Sequence, residues 1–320
     1  MLSIIRCRWT ARFRTPLIAA LVFVITSCDN RNPVTAPDTE SESPASPATP
    51  PSLAIAYSGG MPFGLFMTPT AALGSNYNAT VANARLWLPQ LSRPTNIMLS
   101  ELAAIKARGG KVVINLAGGY RNYLDENGRF SLTKWKARLE PYKTIPFGSY
   151  INDGTIIAHK LIDEPNDRTN WGGVPVSPAT VEEMARYSKQ FWPNMATVTR
   201  AESSYLAQWS GTFRYLDAAW AQYVTRKGTP EEFIQRNVAD AKKKGLALIT
   251  GLNVRKGDFG EPMSPSLIKT AGSVLLSTWY PCAFISWEYH TEYLATPGVT
   301  DALKYLRAKA LNRTYKSCKS

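Results

Sequence analysis

Apolar and polar positions follow two rhythms from about residue 60 onward, and the switches between them lay out the fold. Short runs rich in β-branched and apolar residues predict strands at Pro62–Met67, Thr80–Leu86, Lys111–Ala117, Thr155–Asp163, Ala196–Ala201, Leu216–Tyr223, Leu246–Val254 and Ala283–Tyr289. Helical stretches lie between them. Val181, Met184, Ala185 and Phe191 share one face of a helix opened by Ser177-Pro178, where proline at the first position forfeits no hydrogen bond. Thr229-Pro230-Glu231-Glu232 has the form of a capping box, and Gly245 closes that helix. Ser264-Pro265 and Thr296-Pro297 repeat the opening, and a helix from Ile97 to Arg108 stops at Gly109-Gly110. Eight strands interleaved with helices predict an α/β protein of the (β/α)8 TIM-barrel type. The alternative is an open doubly wound sheet, but no GxGxxG or P-loop follows any strand.

The start of the chain has another pattern. Arg6, Arg8, Arg12 and Arg14 precede an uncharged, mostly apolar run from Pro16 to Ser27. That run is shorter than the roughly 18 residues a spanning helix needs, so it reads as an export signal. Ile25-Thr26-Ser27-Cys28 resembles the lipobox of bacterial lipoproteins. The resemblance implies that residues 1–27 are a cleaved signal peptide and that Cys28 carries lipid. The protein would then be membrane-anchored in the bacterial cell envelope, facing the periplasm or exterior. After Cys28, the chain to residue 52 is rich in Pro, Ser, Thr and acids, and it has too few large apolar side chains to fold. It reads as a tether, leaving residues 53–320 as one domain.

Processing changes the charge. The formal +13 falls to about +9 without the leader's four arginines, and the tether carries a net −3, so the folded part holds about +12. Such a balance favours acidic partners such as anionic glycans or lipid head groups. Predicted export and the lack of a basic-aromatic motif argue against nucleic acid. With Cys7 in the leader and Cys28 lipidated, Cys282 and Cys318 remain as a candidate disulfide outside the cytoplasm. Two histidines and no CxxC pair give no metal site, and no cofactor is implied.

In a barrel of this kind the chemistry sits where strands end. The polar residues there are Asn115, Asp163-Glu164, Arg200 and Glu202, Gln222 and Tyr223, Asn253, and Trp287-Glu288. The segment TIIAHKLIDEPND runs an apolar strand into Asp163-Glu164-Pro165. It resembles the fourth-strand ending of clan-A glycoside hydrolases, in which Asn-Glu-Pro sets the acid/base glutamate at the barrel mouth. Carried over by position, Glu164 is the general acid/base and Asp163 stands where the clan has asparagine. Protonating a leaving sugar oxygen requires a carboxylic acid, which explains the residue type. The clan's nucleophile lies on the seventh strand, but this chain has Asn253 there. Glu288 is the first substitute for the missing second acid and Glu202 the next. Trp287 resembles the eighth-strand tryptophan that floors the sugar site. Asn115, Arg200, Tyr223, Asn253 and Trp287 would bind hydroxyls or ring faces, with Asp163 and Glu202 beside them.

The loop Asn166–Val176 is long for a βα connection and is expected to overhang the mouth. Trp171, Trp209, Trp220 and Trp279 offer rings that can stack on sugars. The expected protein is thus a glycoside hydrolase-like envelope lipoprotein acting on a polysaccharide or glycoconjugate. The alternative is a barrel that binds glycan, or acts as a scaffold, without turnover.

Overall fold

The computed structural model describes residues 60–74, 76–83 and 94–320. The expected signal peptide, Cys28 and the Pro-rich tether lie outside the described residues. Eight strands form: β1 Phe63–Phe66, β2 Ala79–Asn83, β3 Lys111–Asn115, β4 Ile156–Asp163, β5 Thr197–Arg200, β6 Ala218–Tyr223, β7 Ala247–Leu252 and β8 Ala283–Ser286. Each pairs in parallel with the next, and β8 returns to β1, closing the barrel. All eight fall where the hydrophobic runs predict them. Most stop short of the predicted end: β7 ends at Leu252 and β8 at Ser286. Past these two ends the ladder continues only as an isolated parallel bridge of Asn253 with Trp287.

Among the described residues the helices are α1 Pro94–Ala107, α2 Leu132–Leu139, α3 Gly148–Asn152, α4 Pro178–Phe191, α5 Ser203–Ala207, α6 Pro230–Lys243, α7 Pro265–Ser277, α8 Thr291–Leu294 and α9 Val299–Leu311. The caps read from sequence are made. The Ser177 hydroxyl accepts from the Thr180 N–H at 3.1 Å, and that of Ser264 accepts from the Leu267 N–H at 3.2 Å. Both halves of the Thr229/Glu232 capping box are present. Thr296-Pro297 behaves differently. The Thr296 N–H bonds the Tyr293 carbonyl and so closes the preceding turn, and α9 opens only after Gly298, whose φ of 79° suits glycine.

Successive strand residues face opposite sides, and this divides the core in two. Val81, Val113, Val198, Trp220, Ile249 and Ile285 pack together in the barrel lumen. Their neighbours Val112, Ile114, Leu161 and Leu248 join helix residues such as Met184 and Phe233 in the larger outer layer. Two glycines permit the closure. A Cβ on Gly64 would stand 1.8 Å from the Ala79 carbonyl oxygen, and one on Gly251 would stand 2.0 Å from that of Ile285. Cys282 and Cys318 are bonded with Cα atoms 5.3 Å apart, fastening the C-terminal tail to the start of β8. His159 of β4 faces the outer layer, stacked on Trp135, with Nδ1 2.8 Å from the Ser188 hydroxyl. Burial holds its imidazole down to about 3.

Candidate active site

At the end of β4 the chain turns sharply. Glu164 has φ of 42°, a left-handed conformation that costs a non-glycine residue free energy and is kept only where neighbours enforce it. Two hydrogen bonds enforce it here. The Glu164 N–H donates to the Arg200 carbonyl on β5 at 2.9 Å, and the Glu164 carbonyl accepts from the Trp171 indole at 2.9 Å. Pro165 follows with its φ fixed. The Glu164 side chain thereby reaches the mouth, 45% exposed, in a cleft of about 480 Å³.

Arg200, at the end of β5, organises the floor. Its guanidinium is 10% exposed and makes three directed contacts: Nε to Asp163, Nη1 to the Gln222 Oε1 at 2.9 Å, and Nη2 to the Glu164 Oε2 at 3.2 Å. It also lies 5.0 Å from the centre of the Trp287 ring, which packs on Phe66 at 4.5 Å. Beneath it Lys160, buried on the lumen face of β4, approaches Asp163 at 3.5 Å. Burial pushes the Asp163 carboxyl up, but the Arg200 and Lys160 charges outweigh it and hold the group down to about 2. Asp163 is therefore a fixed anion that orients Arg200. It does not line the cleft.

The other wall comes from the ends of β5, β6 and β7. Glu202 lines the cleft, half-buried, with Lys227 at 2.9 Å and Arg236 at 3.7 Å. Lys227 also donates to the Gln222 carbonyl at 2.9 Å. Asn253 lines the cleft and its side-chain oxygen accepts from the Lys256 N–H at 3.0 Å. A second depression of about 320 Å³ shares Asn166 and Glu202 with the first and continues it toward Tyr205 and Gln208. The result is an extended groove across one half of the mouth.

Of the strand-end residues picked out in the sequence, Glu164, Arg200, Glu202, Gln222 and Asn253 meet in this groove. Others do not. Glu288 follows Trp287 through a cis peptide, is half-buried and is not among the residues lining the cleft. It comes from β8, whereas the cleft is built from β4 to β7. Tyr223 faces the helices instead of the cleft, with its ring against Phe233 and its hydroxyl on the Gly228 carbonyl at 3.0 Å. Gln222, one residue earlier, takes the cleft side because strand neighbours point in opposite directions. Asn115 is buried and holds the Gly118 carbonyl at 3.3 Å. Trp287 touches the site through Arg200 rather than lining it.

The tryptophans expected to meet sugar are mostly packing. Trp171 is fully buried among Tyr120, Tyr123 and Phe130, and its loop serves to pin Glu164. Trp220 is buried at the cleft floor with its indole on the Ile285 carbonyl, and Trp209 packs on Phe213. Trp279 is 60% exposed but lies between α7 and the start of β8, at the end of the barrel away from the strands' C-terminal ends. Sequence reading missed Lys160, Arg226 and Lys227. Lys160 left a signal, a lysine inside an apolar strand three residues before an aspartate. The other two sit in a short basic loop with nothing to single them out.

No protein-family model matches the sequence, and no curated protein does. Solved structures do resemble it. The endo-beta-1,4-mannanase from Thermotoga petrophila superposes with a TM-score of 0.53 at 12% identity, over 79% of this chain and 77% of that one. An exo-beta-1,4-mannosidase from Opitutaceae bacterium strain TAV5 gives 0.52 at 12%, over 78% and 60%. The endocellulase from Pyrococcus horikoshii, in complex with cellotetraose, gives 0.50 at 14%, over 78% and 92%. At such identities the likeness is one of fold alone: a closed barrel of eight parallel strands.

Proposed function

We propose that this protein is a glycoside hydrolase acting on an oligomeric or polymeric saccharide laid along the groove, with Glu164 as its general acid. The observation that carries the reading is the enforced left-handed turn that sets the Glu164 carboxyl at the open mouth. A strained residue over-determined by its neighbours is typical of positions where geometry serves function. In the proposed step the Glu164 carboxylic acid gives its proton to the glycosidic oxygen as the bond to the anomeric carbon breaks. Glu202 is the second carboxylate best supported by position, since it lines the same groove. It either attacks the anomeric carbon or removes a proton from the attacking water.

The test is product release from mannan- and cellulose-type oligosaccharides, read by chromatography. Glu164→Gln is expected to lower turnover about 10²- to 10⁴-fold while saccharide binding survives. A second reading is a glycan-binding barrel without turnover, favoured by the asparagine at position 253 and by the cations paired with both cleft carboxylates. It predicts binding with no product from any substrate, and an equal affinity in Glu164→Gln.

The same proposal places the enzyme at the cell envelope, held by lipid on Cys28. The support is the lipobox-like sequence and the Pro-rich tether. Metabolic labelling with a fatty-acid analogue is expected to mark the wild type and not Cys28→Ser. Unlabelled wild type in the soluble fraction would overturn the anchor.

A further inference from the structure

The groove's charges say which saccharide it takes, an inference that rests on the proposed function. Two of its three carboxylates are already paired: Glu164 by Arg200 at 3.2 Å, Glu202 by Lys227 at 2.9 Å and Arg236 at 3.7 Å. Asp167 accepts from the Thr169 N–H at 2.9 Å as a helix cap. Its cations are in excess. Arg226, on the turn Thr225–Lys227 after β6, is exposed at the cleft and, among the described residues, has no ion-pair or hydrogen-bond partner. Arg168, from the loop after β4, uses one N–H on the Gly173 carbonyl at 3.3 Å and, among the described residues, makes no ion pair.

A third donor stands unused. Gln222 lines the cleft while only 5% exposed, and its Oε1 accepts from Arg200. A guanidinium only donates, so this contact fixes the amide orientation and leaves Nε2 as the other end. Nε2 is buried without a partner. An orphaned donor is costly, and an incoming acceptor relieves that cost. Two guanidinium groups without an ion pair and an orphaned amide therefore line a cleft in which four cationic side chains, Arg168, Arg200, Arg226 and Lys227, face three carboxylates, two of them already paired. Arginine pairs with two oxygens of a carboxylate or a tetrahedral oxyanion through two parallel hydrogen bonds, which suits an acidic sugar better than a hydroxyl.

We propose that the groove selects an anionic saccharide, with the carboxylate or sulfate of one sugar held by Arg226, assisted by Arg168, and a neighbouring oxygen accepting from Gln222. The full-length chain in detergent is titrated calorimetrically with a galacturonate tetramer, a sulfated galactose tetramer and cellotetraose. One acidic tetramer is expected to bind at least about tenfold tighter than cellotetraose, and the tighter of the two identifies the anion. Rising salt shrinks that advantage. Arg226→Gln brings the acidic tetramer to within about threefold of the neutral one, and Arg226→Lys restores part of the difference. Equal binding of all three tetramers, or a preference untouched by Arg226→Gln, overturns the inference and leaves the proposed function standing. Failure of every saccharide to bind removes the proposed function itself.

Discussion

The Arg200 guanidinium bridges two adjacent acids, with Nε on Asp163 and Nη2 on Glu164 at 3.2 Å, so the fifth strand holds the fourth-strand turn in place. Arg200→Lys keeps the charge but loses the planar fork that reaches Asp163, Glu164 and Gln222 together. We expect a loss of about 2–3 kcal/mol in denaturant unfolding, below the cost of a fully buried pair because Asp163 is 29% exposed and retains Lys160. An unchanged midpoint would show that the bridge is dispensable.

The same pair sets a pH dependence. Asp163 is held down to about 2 in the folded protein, against an ordinary value near 4 when unfolded. Its contribution is complete above about pH 4 and disappears as the pH falls from about 4 to about 2, amounting to about 2 kcal/mol. Glu183, held down by Arg186, titrates in the same window. Comparing wild type with Asp163→Asn therefore isolates this group's contribution: the variant has the shallower acid slope.

His159 acts at higher pH. Burial holds its folded value down to about 3, so the unfolded chain binds a proton that the folded chain refuses. Stability from this group is complete above about pH 6.5 and declines steadily below it. In His159→Gln, which can still bond Ser188, urea midpoints between pH 6.5 and 4 should fall less steeply than in the wild type.

The second carboxylate can be identified by rate. Glu202→Gln is expected to cut turnover by about 10²-fold or more, whereas Glu288→Gln, outside the cleft, should cost less than about tenfold. The reverse order in steady-state kinetics would reassign the role to the eighth strand.

The bridge from Cys282 to Cys318 closes a separation of 36 residues. Constraint of the unfolded chain over that length is worth about 3–4 kcal/mol. Reductant, or Cys318→Ser, should lower Tm by about 5–10 °C in a domain of this size.

The barrel was legible because its signals are local. Each strand is a run of apolar and β-branched residues, and the caps at Ser177, Thr229 and Ser264 act within one helical turn. Glu164 was singled out in another way, by the resemblance of Asp-Glu-Pro to a clan-A strand ending, and the structure sets it in the cleft. Tyr223 shows the limit, since a shift of one residue decides which face a side chain takes. Without knowing where pairing begins, Gln222 and Tyr223 are equal candidates.

The amino-acid order by itself determined the strand and helix sequence and the closed α/β architecture, properties fixed by near neighbours along the chain. Only the tertiary structure decided which acids and cations share one groove. Glu202, Gln222, Arg226 and Lys227 reach Glu164 because parallel pairing brings the ends of β4, β5 and β6 side by side. Charges far apart in sequence meet through that register, and no local pattern encodes it.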